Sequence, residues 1–302
     1  MPACSQILIS GGSGFLGWNL ARYAAEDHNV FLTYHQHQVN VEGCKAPYYC
    51  DLRNEQATEK LIKDLHPDVI IHTAALANAD DCEARQSAAY AINVDGTLNL
   101  VRQAEKIGAR FVYISTDMVF DGANGNYREE HRPTPLNYYG ETKLLGEKLV
   151  REISSNYLIL RTALMYGHGN EFNGCFSDWL YNGLHRQQSI SLFTDQYRTP
   201  LYVQDTVKAV FEMIDQPIKN DLFHLGGAER LSRYEFGKIF CEIWGLNDHK
   251  LHPVQMEEVD TLARRGYDCS LISAKIQHIL SFQLSDVRTG LQQMKNCYVR
   301  RT

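Results

Sequence analysis

Gln6-Ile-Leu-Ile-Ser10-Gly11-Gly-Ser13-Gly14-Phe15-Leu16-Gly17 is the stretch that decides the fold of this chain. A short apolar run enters a glycine-rich turn, and the turn opens a helical pattern over Gly14–Glu26. Gly11 permits a tight turn, Gly14 lets backbone approach a bound group, and Gly17 lets the helix pack close to the strand. The helix start then offers unpaired N–H groups and partial positive charge to a pyrophosphate. Standing after the first strand and before the first helix, the pattern predicts a dinucleotide site built from Gly11, Ser13, Gly14, Phe15, Leu16 and Gly17. A purely structural glycine turn is the alternative.

Outward from this unit, short β-type runs alternate with longer amphipathic stretches. Strands are expected at Gln6–Ser10, Val30–Thr33, Tyr48–Cys50, Val69–Thr73, Phe111–Ile114 and Leu158–Arg161. Helices are expected at Glu55–Leu65, Glu83–Ile107 and Tyr138–Ile153. Such alternation predicts a doubly wound parallel α/β sheet covered on both faces. After Tyr166 the regularity stops. Gly167–Asn170 reads as a loop, Phe172–Arg186 as a helix, and Val203–Ile214 with Phe223–Leu225 as a helix and strand returning to the sheet. Ser232 is placed to cap a helix through Trp244, and Asp286 precedes a last helix. The expected division is residues 1–166, with 201–225 returning to them, as the dinucleotide-binding domain. Residues 167–200 and 226–302 would then form a smaller α/β lobe of interleaved segments, with substrate held between the two.

Composition sets bounds on function. The chain has 302 residues, 44% hydrophobic and 22% charged, as expected of a globular protein with a full core. Its net charge of −6 argues against general nucleic-acid binding, which needs a basic surface. No apolar run approaches the roughly 20 residues of a membrane span. The start, Met1–Gln6, lacks the pattern of a signal peptide. The cysteines at 4, 44, 50, 82, 175, 241, 269 and 297 show no zinc spacing. Free thiols in a reducing cytoplasm are therefore expected.

A second stretch carries chemistry. In Asn137-Tyr-Tyr-Gly-Glu-Thr-Lys143, Tyr139 and Lys143 fall one helical turn apart on one face. The ammonium is expected to lower the phenol's pKa from about 10 toward the working pH, making it a proton donor or acceptor. Beyond the second strand, no acidic residue awaits a ribose 2′-hydroxyl and no Arg awaits a 2′-phosphate. His35, His37 and Lys45 lie nearby, so NADPH is favoured, with NADH as possible second use. His35 and His37 read equally well as solvated loop residues, and with no carboxylate to complete a site, no metal is expected. Asp51 and Leu52, after the third strand, can hold an adenine, or Asp51 can cap the next helix.

These residues resemble the extended short-chain dehydrogenases/reductases, a group with a Rossmann-type fold. The match rests on Gly11-x-x-Gly14-x-x-Gly17, His72-Thr-Ala-Ala75, Asn93-Val-Asp-Gly-Thr97 and Tyr139-x-x-x-Lys143. Within the group the chain looks most like the dTDP-4-dehydrorhamnose reductases. The signals are Ile114-Ser-Thr-Asp-Met-Val-Phe-Asp-Gly122, Pro135–Glu147, Asp195-Gln-Tyr-Arg-Thr-Pro200 and Arg264-Arg-Gly-Tyr-Asp-Cys-Ser-Leu271.

The resemblance implies a role for each matched residue. Thr116 would bind the substrate oxygen, Tyr139 would donate the proton, and Lys143 would hold the nicotinamide ribose. Ala74, Ala75, Leu76, Asn93, Ser115 and Thr162 would surround the cofactor, with Arg161 entering the nicotinamide region. Asp117, Met118, Val119, Phe120, Asn173, Gln196 and Arg198 would face a nucleotide-sugar. Two positions depart from the family: Met118 replaces a usual Tyr, and Arg198 replaces a usual small residue. Both put the identity of the sugar in doubt. A dehydratase would need a further carboxylate where Met118 stands. The implied activity is NAD(P)H-dependent reduction of a 4-keto group on a nucleotide-activated deoxysugar, in a possible homodimer. The chain is also similar to the regulatory β subunit of methionine adenosyltransferase, through Tyr127–Glu130 and Pro133–Asn137. An NADP-binding regulatory subunit and a nucleotide-sugar epimerase therefore stand as alternatives.

Overall fold

The structure is a computed structural model and describes residues 5–299; Cys4, counted above among the free thiols, lies outside them. Its strands are β1 (Gln6–Ser10), β2 (Asn29–Tyr34), β3 (Tyr48–Tyr49), β4 (Val69–His72), β5 (Arg110–Thr116), β6 (Tyr157–Thr162), β7 (Met165–Tyr166), β8 (Ile190–Phe193), β9 (Tyr197–Arg198), β10 (Leu201–Tyr202), β11 (Asp221–Leu225), β12 (Leu231–Ser232) and β13 (Leu251–Val254). The helices are α1 (Phe15–Ala24), α2 (Glu55–Leu65), α3 (Ala79–Ala84), α4 (Gln86–Tyr90), α5 (Gly96–Ile107), α6 (Tyr138–Ile153), α7 (Phe176–His185), α8 (Val203–Asp215), α9 (Arg233–Trp244), α10 (Ala274–Gln277) and α11 (Val287–Val299).

Seven strands form one sheet in the order β11-β6-β5-β4-β1-β2-β3. Every neighbouring pair in it is parallel. Successive side chains of a strand point to opposite faces. Thus Ile7 and Ile9 join one core cluster with residues of α1 and α8, while Leu8 joins the other with residues of α2, α5 and α6. Both faces are covered, which is why the strands read as unbroken apolar runs. The chain leaves β1 for β2 and β3 on one side, then crosses to β4, β5 and β6 on the other. That reversal at β1 and β4 opens a crevice at the carboxyl ends of the strands. The Rossmann-type doubly wound sheet expected from the sequence is the fold.

The segments after β6 build a smaller body from short pairs: β8 with β13, β9 with β12, and β10 with β7. Ser232 caps α9 through a reciprocal box, accepting from the Glu235 amide at 3.1 Å while the Glu235 carboxylate accepts from the Ser232 amide at 2.7 Å. Every described cysteine is a free thiol. Among the described residues, no helix is long and apolar enough to cross a membrane.

Two expected helices differ. The stretch 83–107 is not one helix. It begins at Ala79 behind the Asn78 cap, breaks at Arg85 (φ −134°, ψ 54°), and passes through a π turn over Ala91–Asp95 before α5. Apolar periodicity does not register a π turn, which inserts a residue without changing the buried face. The helix expected from Phe172 starts at Phe176. The Asn170 side chain accepts from the Phe172 and Asn173 amides at 2.9 and 2.8 Å, holding those residues in a turn instead.

Candidate active site

The crevice above β1, β2 and β4 is a cleft of about 300 Å³ lined by Gly11, Ser13, Gly14, Thr33, Tyr34, His35, Asp51, Leu52 and Ala74–Leu76, among others. Gly11 sits at φ +73°, and a Cβ there would meet the Ala74 backbone at 2.8 Å. A Cβ on Gly17 would run into the Gly11 carbonyl, so the turn and α1 can close only on glycine. Helix α1 begins with no side-chain cap and no acidic residue in its first turn. Its first N–H groups therefore remain for an anion. Phe15 and Leu16 do not line the cleft: Leu16 is buried in the core and Phe15 packs partly buried against it. Asn93, on the π turn, braces the far wall. Its Oδ1 accepts from the Leu76 amide at 2.8 Å, and its Nδ2 donates to the Leu76 carbonyl at 3.1 Å and to Thr142 at 2.9 Å.

At the outer end, Asp51 is gripped by a residue the sequence reading passed over. Arg53 donates to it through Nε at 2.8 Å and Nη2 at 2.7 Å, and His35 lies 3.7 Å away. The Arg53 hydrogen bond holds the Asp51 carboxyl below the ordinary range. A guanidinium thus does line this cleft, supplied after β3 rather than after β2. Asn173, expected at the sugar, stands instead at this cleft, where its Nδ2 donates to the Ser13 carbonyl at 2.9 Å.

The residues expected to react gather at the end of β5 and the start of α6. The Asn137 side chain caps α6 by accepting from the Gly140 amide at 2.9 Å. Gly140 then lets the helix press against the Met118 carbonyl. Thr116, Tyr139 and Thr162 line a second cavity of about 190 Å³. The Thr116 hydroxyl donates to Asp117 at 3.2 Å. Burial pushes the Tyr139 phenol well above its usual value, Asp117 adds to the rise, and a hydrogen bond with Thr116 opposes it. Burial pulls Lys143 down to about 7 against the pull of Glu147. The expected lowering of Tyr139 by Lys143 is thus not what the folded chain shows: burial and the Asp117 charge raise the phenol. The phenol holds its proton at neutral pH, the form a proton donor needs.

The same cavity also carries cations. Arg198, Arg233 and Arg265 line it with Gln196, Asp117 and Met118. Arg198 is 4% exposed and lies 3.3 Å from Asp117 Oδ2, yet that oxygen has no aligned hydrogen bond. Arg233 Nη1 and Arg265 Nε are also buried without partners. Burial, with Arg198 and Arg265 adding repulsion, pushes Arg233 down to about 9. A guanidinium keeps its proton regardless. Arg265 is paired through Nη2 with Asp80 at 2.6 Å and Arg233 donates through Nε to Gln196 at 3.0 Å, so the unpartnered nitrogens are what is left to meet an anion. Arg233 and Arg265 were missed in the sequence. Arg265 stands inside the quoted Arg264–Leu271 motif and Arg233 beside the Ser232 cap, but nothing local marks them as neighbours.

Three expected contacts are corrected. Val119 and Phe120 are 0% and 1% exposed, in a small core cluster with Tyr127, Ala163 and Leu271, and do not line the cavity. They follow Met118 in a tight turn that folds their apolar side chains inward. Ser115 points away from both clefts, donating to Glu147 at 2.6 Å, because alternate residues of β5 face opposite sides.

A family model described as the RmlD substrate binding domain matches residues 5–299. The chain is 31% identical over 300 residues to methionine adenosyltransferase 2 subunit beta of Mus musculus, covering 95% of this chain and 86% of that protein. It is 29% identical over 303 residues to dTDP-4-dehydrorhamnose reductase of Escherichia coli (strain K12), covering 96% and 97%. A crystal structure of dTDP-4-dehydrorhamnose reductase from Bacillus anthracis str. Ames, in complex with NADP, matches with a TM-score of 0.85 at 27% identity, over 97% of this chain and 99% of that one.

Proposed function

The chain belongs to the RmlD substrate binding domain family, and we propose on that premise that it reduces a 4-keto group on a nucleotide-activated deoxysugar. The broader reading is that it is an oxidoreductase of the nucleotide-sugar reductase and epimerase type, with NADP(H) as its cofactor. The observation that carries the finer reading is the shared cavity of Thr116, Tyr139 and three arginines. The hydroxyl pair suits a ketone oxygen, and the guanidiniums suit the diphosphate of a sugar nucleotide. The dinucleotide cleft fits the cofactor through its glycine cradle and uncapped helix. In this reading residues 1–166 and 201–225 hold the cofactor, while 167–200 and 226–302 hold the sugar nucleotide. Asn173 is the exception, reaching back to Ser13.

When bound, NADPH supplies the hydride. The chain's residues do the rest. Thr116 and Tyr139 donate hydrogen bonds to the ketone oxygen as negative charge builds there, and the raised Tyr139 phenol then passes its proton to that oxygen. Lys143 lies one turn behind, 4.1 Å over the Tyr113 ring, and would hold the nicotinamide ribose. Asp117 Oδ2, a buried acceptor without an aligned donor, is placed to receive a sugar hydroxyl. Arg198, Arg233 and Arg265 fix the diphosphate, so binding energy remote from the reacting carbon orients it. The reaction belongs to deoxysugar synthesis in the cytoplasm, where free thiols persist.

The test is NADPH oxidation with a dTDP-4-keto-6-deoxysugar, followed by absorbance. Turnover that vanishes in Tyr139→Phe while NADPH still binds supports the reading. The rival, an NADP-binding regulatory subunit, draws on the 31% identity to methionine adenosyltransferase 2 subunit beta. It leaves the arginines that share a cavity with Thr116 and Tyr139 without a purpose. Absence of turnover with any 4-keto sugar nucleotide, together with a partner co-purifying at fixed stoichiometry, would decide for it.

A further inference from the structure

Helix α3 follows directly on the Ala74–Leu76 wall of the cofactor cleft and makes contacts that the reaction as described leaves unused. The Asn78 side chain caps it, accepting from the Asp81 amide at 3.0 Å, and the Cys82 thiol donates to the Leu76 carbonyl at 3.2 Å. Glu83 Oε1 accepts from the Tyr138 amide at 2.8 Å, at the start of α6. The helix is therefore fixed in the frame of Tyr139. From it, both oxygens of Asp80 go to one distant loop. Oδ1 accepts from the Ala263 amide at 2.8 Å, and Oδ2 accepts from Arg265 Nη2 at 2.6 Å. Between them, the Arg264 carbonyl accepts at 2.9 Å from Nδ2 of Asn137, the residue that caps α6. Gly266 follows, packed so closely that a Cβ there would run into the Asp121 carbonyl.

We propose that Asp80 is a positioning residue, holding Arg265 so that its unpartnered Nε–H is presented to the diphosphate of the sugar nucleotide. The inference rests on the reading of that cavity given above. A guanidinium is planar and rigid, so fixing Nη2 also fixes the direction of Nε–H. Arg265 lines the cavity, and its Nε is buried without a partner. A mobile arginine would lose rotamer freedom on meeting an anion, and here that loss is taken on folding. Stability gives the pair little reason to exist. The Asp80 and Arg265 side chains are 39% and 26% exposed, and solvent-screened pairs contribute little. Nor is Asp80 a simple counter-charge. A carboxylate beside an anion site weakens anion binding unless its geometry contributes more than its charge costs. The ties to Ala263 and Arg264 show that the whole segment is held, and not the cation alone.

The experiment is calorimetric titration of the full chain with dTDP across a double-variant cycle. Asp80→Asn keeps an acceptor for the Ala263 amide and removes the hold on Arg265, so dTDP affinity should fall about fivefold, within the range of a coupled pair. Asp80→Ala, which turns no new donor toward Arg265, should show the same loss. A counter-charge would act with the opposite sign, since its removal raises the positive potential and tightens dTDP. Arg265→Met should weaken dTDP about tenfold, the worth of one charge-assisted contact. With Arg265→Met already present, adding Asp80→Asn should change dTDP affinity by less than about twofold. NADPH affinity, measured alongside, should be unchanged in every variant and reports an intact fold. Asp80 variants that bind dTDP as well as the unsubstituted chain, or better, would overturn the proposal. An equal loss from Asp80→Asn after Arg265 is gone would overturn it too, since Asp80 would then act on another group. Absence of dTDP binding by the unsubstituted chain would overturn the diphosphate reading and this inference with it, whereas the other two outcomes leave that reading standing.

Discussion

The two clefts, of which the second is lined by Tyr139, are charged by different means. The dinucleotide cleft draws its positive potential from backbone, through the uncapped start of α1 and the glycine turn. The second cavity draws it from side chains, through Arg198 beside Asp117, Arg265 paired with Asp80, and Arg233. A backbone site costs the folded chain little when nothing is bound, since exposed N–H groups are solvated. Three guanidiniums sharing a small cavity repel one another until an anion arrives. In the proposed reading the first cleft would be generic for pyrophosphate, and the second would carry the specificity.

The largest expected effect separates the two clefts. Tyr139→Phe removes the proton donor and keeps the ring, so kcat should fall about 10²–10⁴-fold. NADPH affinity, measured by fluorescence titration, should stay within about twofold, because the cofactor cleft is untouched. A loss in affinity as large as the loss in turnover would show that the clefts are not separable.

Acid should loosen the cofactor half first. His72 is buried, bonded to Ser10 at 2.6 Å and Thr97 at 2.9 Å, and burial pulls it down to about 3. An unfolded His titrates near 6.5. Between those values the unfolded chain takes up a proton that the native chain refuses, so stability holds above about pH 6.5 and falls as pH drops. The slope from one such group is about 1.4 kcal/mol per pH unit. Urea unfolding between pH 6.5 and 5 should therefore be about that much less steep in pH for His72→Asn.

On the sugar side, Arg233→Met should raise KM for the sugar nucleotide about 10–30-fold, the worth of one charge-assisted contact. It should do so without lowering the melting temperature, because it removes a buried cation whose neighbours are cations. Weakened binding paired with unchanged or raised stability is the signature of a site strained for its ligand. A drop in melting temperature with unchanged KM would make Arg233 a structural residue. In that case its bond to Gln196 and its stacking over Phe176 would be its purpose.

The same contrast explains what the sequence disclosed. The glycine turn, the Ser232 capping box and the Tyr139–Lys143 spacing are local, so residue types a few positions apart reveal them. The doubly wound parallel sheet followed from alternation alone. The arginine wall comes from β9, the start of α9 and the loop at 265, so no window of sequence contains it. Ser115 illustrates a subtler loss. Its place beside Thr116 suggested the cofactor, but the two-residue period of β5 turns it to the other face, toward Glu147. The π turn was invisible because it leaves the apolar stripe intact, although it carries the Asn93 brace.

The smallest effect tests whether the dinucleotide cleft is as generic as its backbone makes it. Arg53 is the guanidinium in that cleft, and its side chain is 41% exposed and already forked onto Asp51. An exposed pair of this kind is worth about 0–1 kcal/mol, and solvent screens it further. If Arg53 also reads the 2′-phosphate, Arg53→Ala should weaken NADPH by up to about fivefold and leave NADH within error. Asp51→Asn then separates the two duties. It frees Arg53 for the phosphate, so NADPH affinity should hold or improve, while loss of a carboxylate at adenine would weaken both cofactors equally. Titrations of both variants with both cofactors give a ratio that general damage to the cleft leaves unchanged. An unchanged ratio in Arg53→Ala would return the choice of cofactor to the histidines after β2, with His35 the nearer to Asp51 at 3.7 Å.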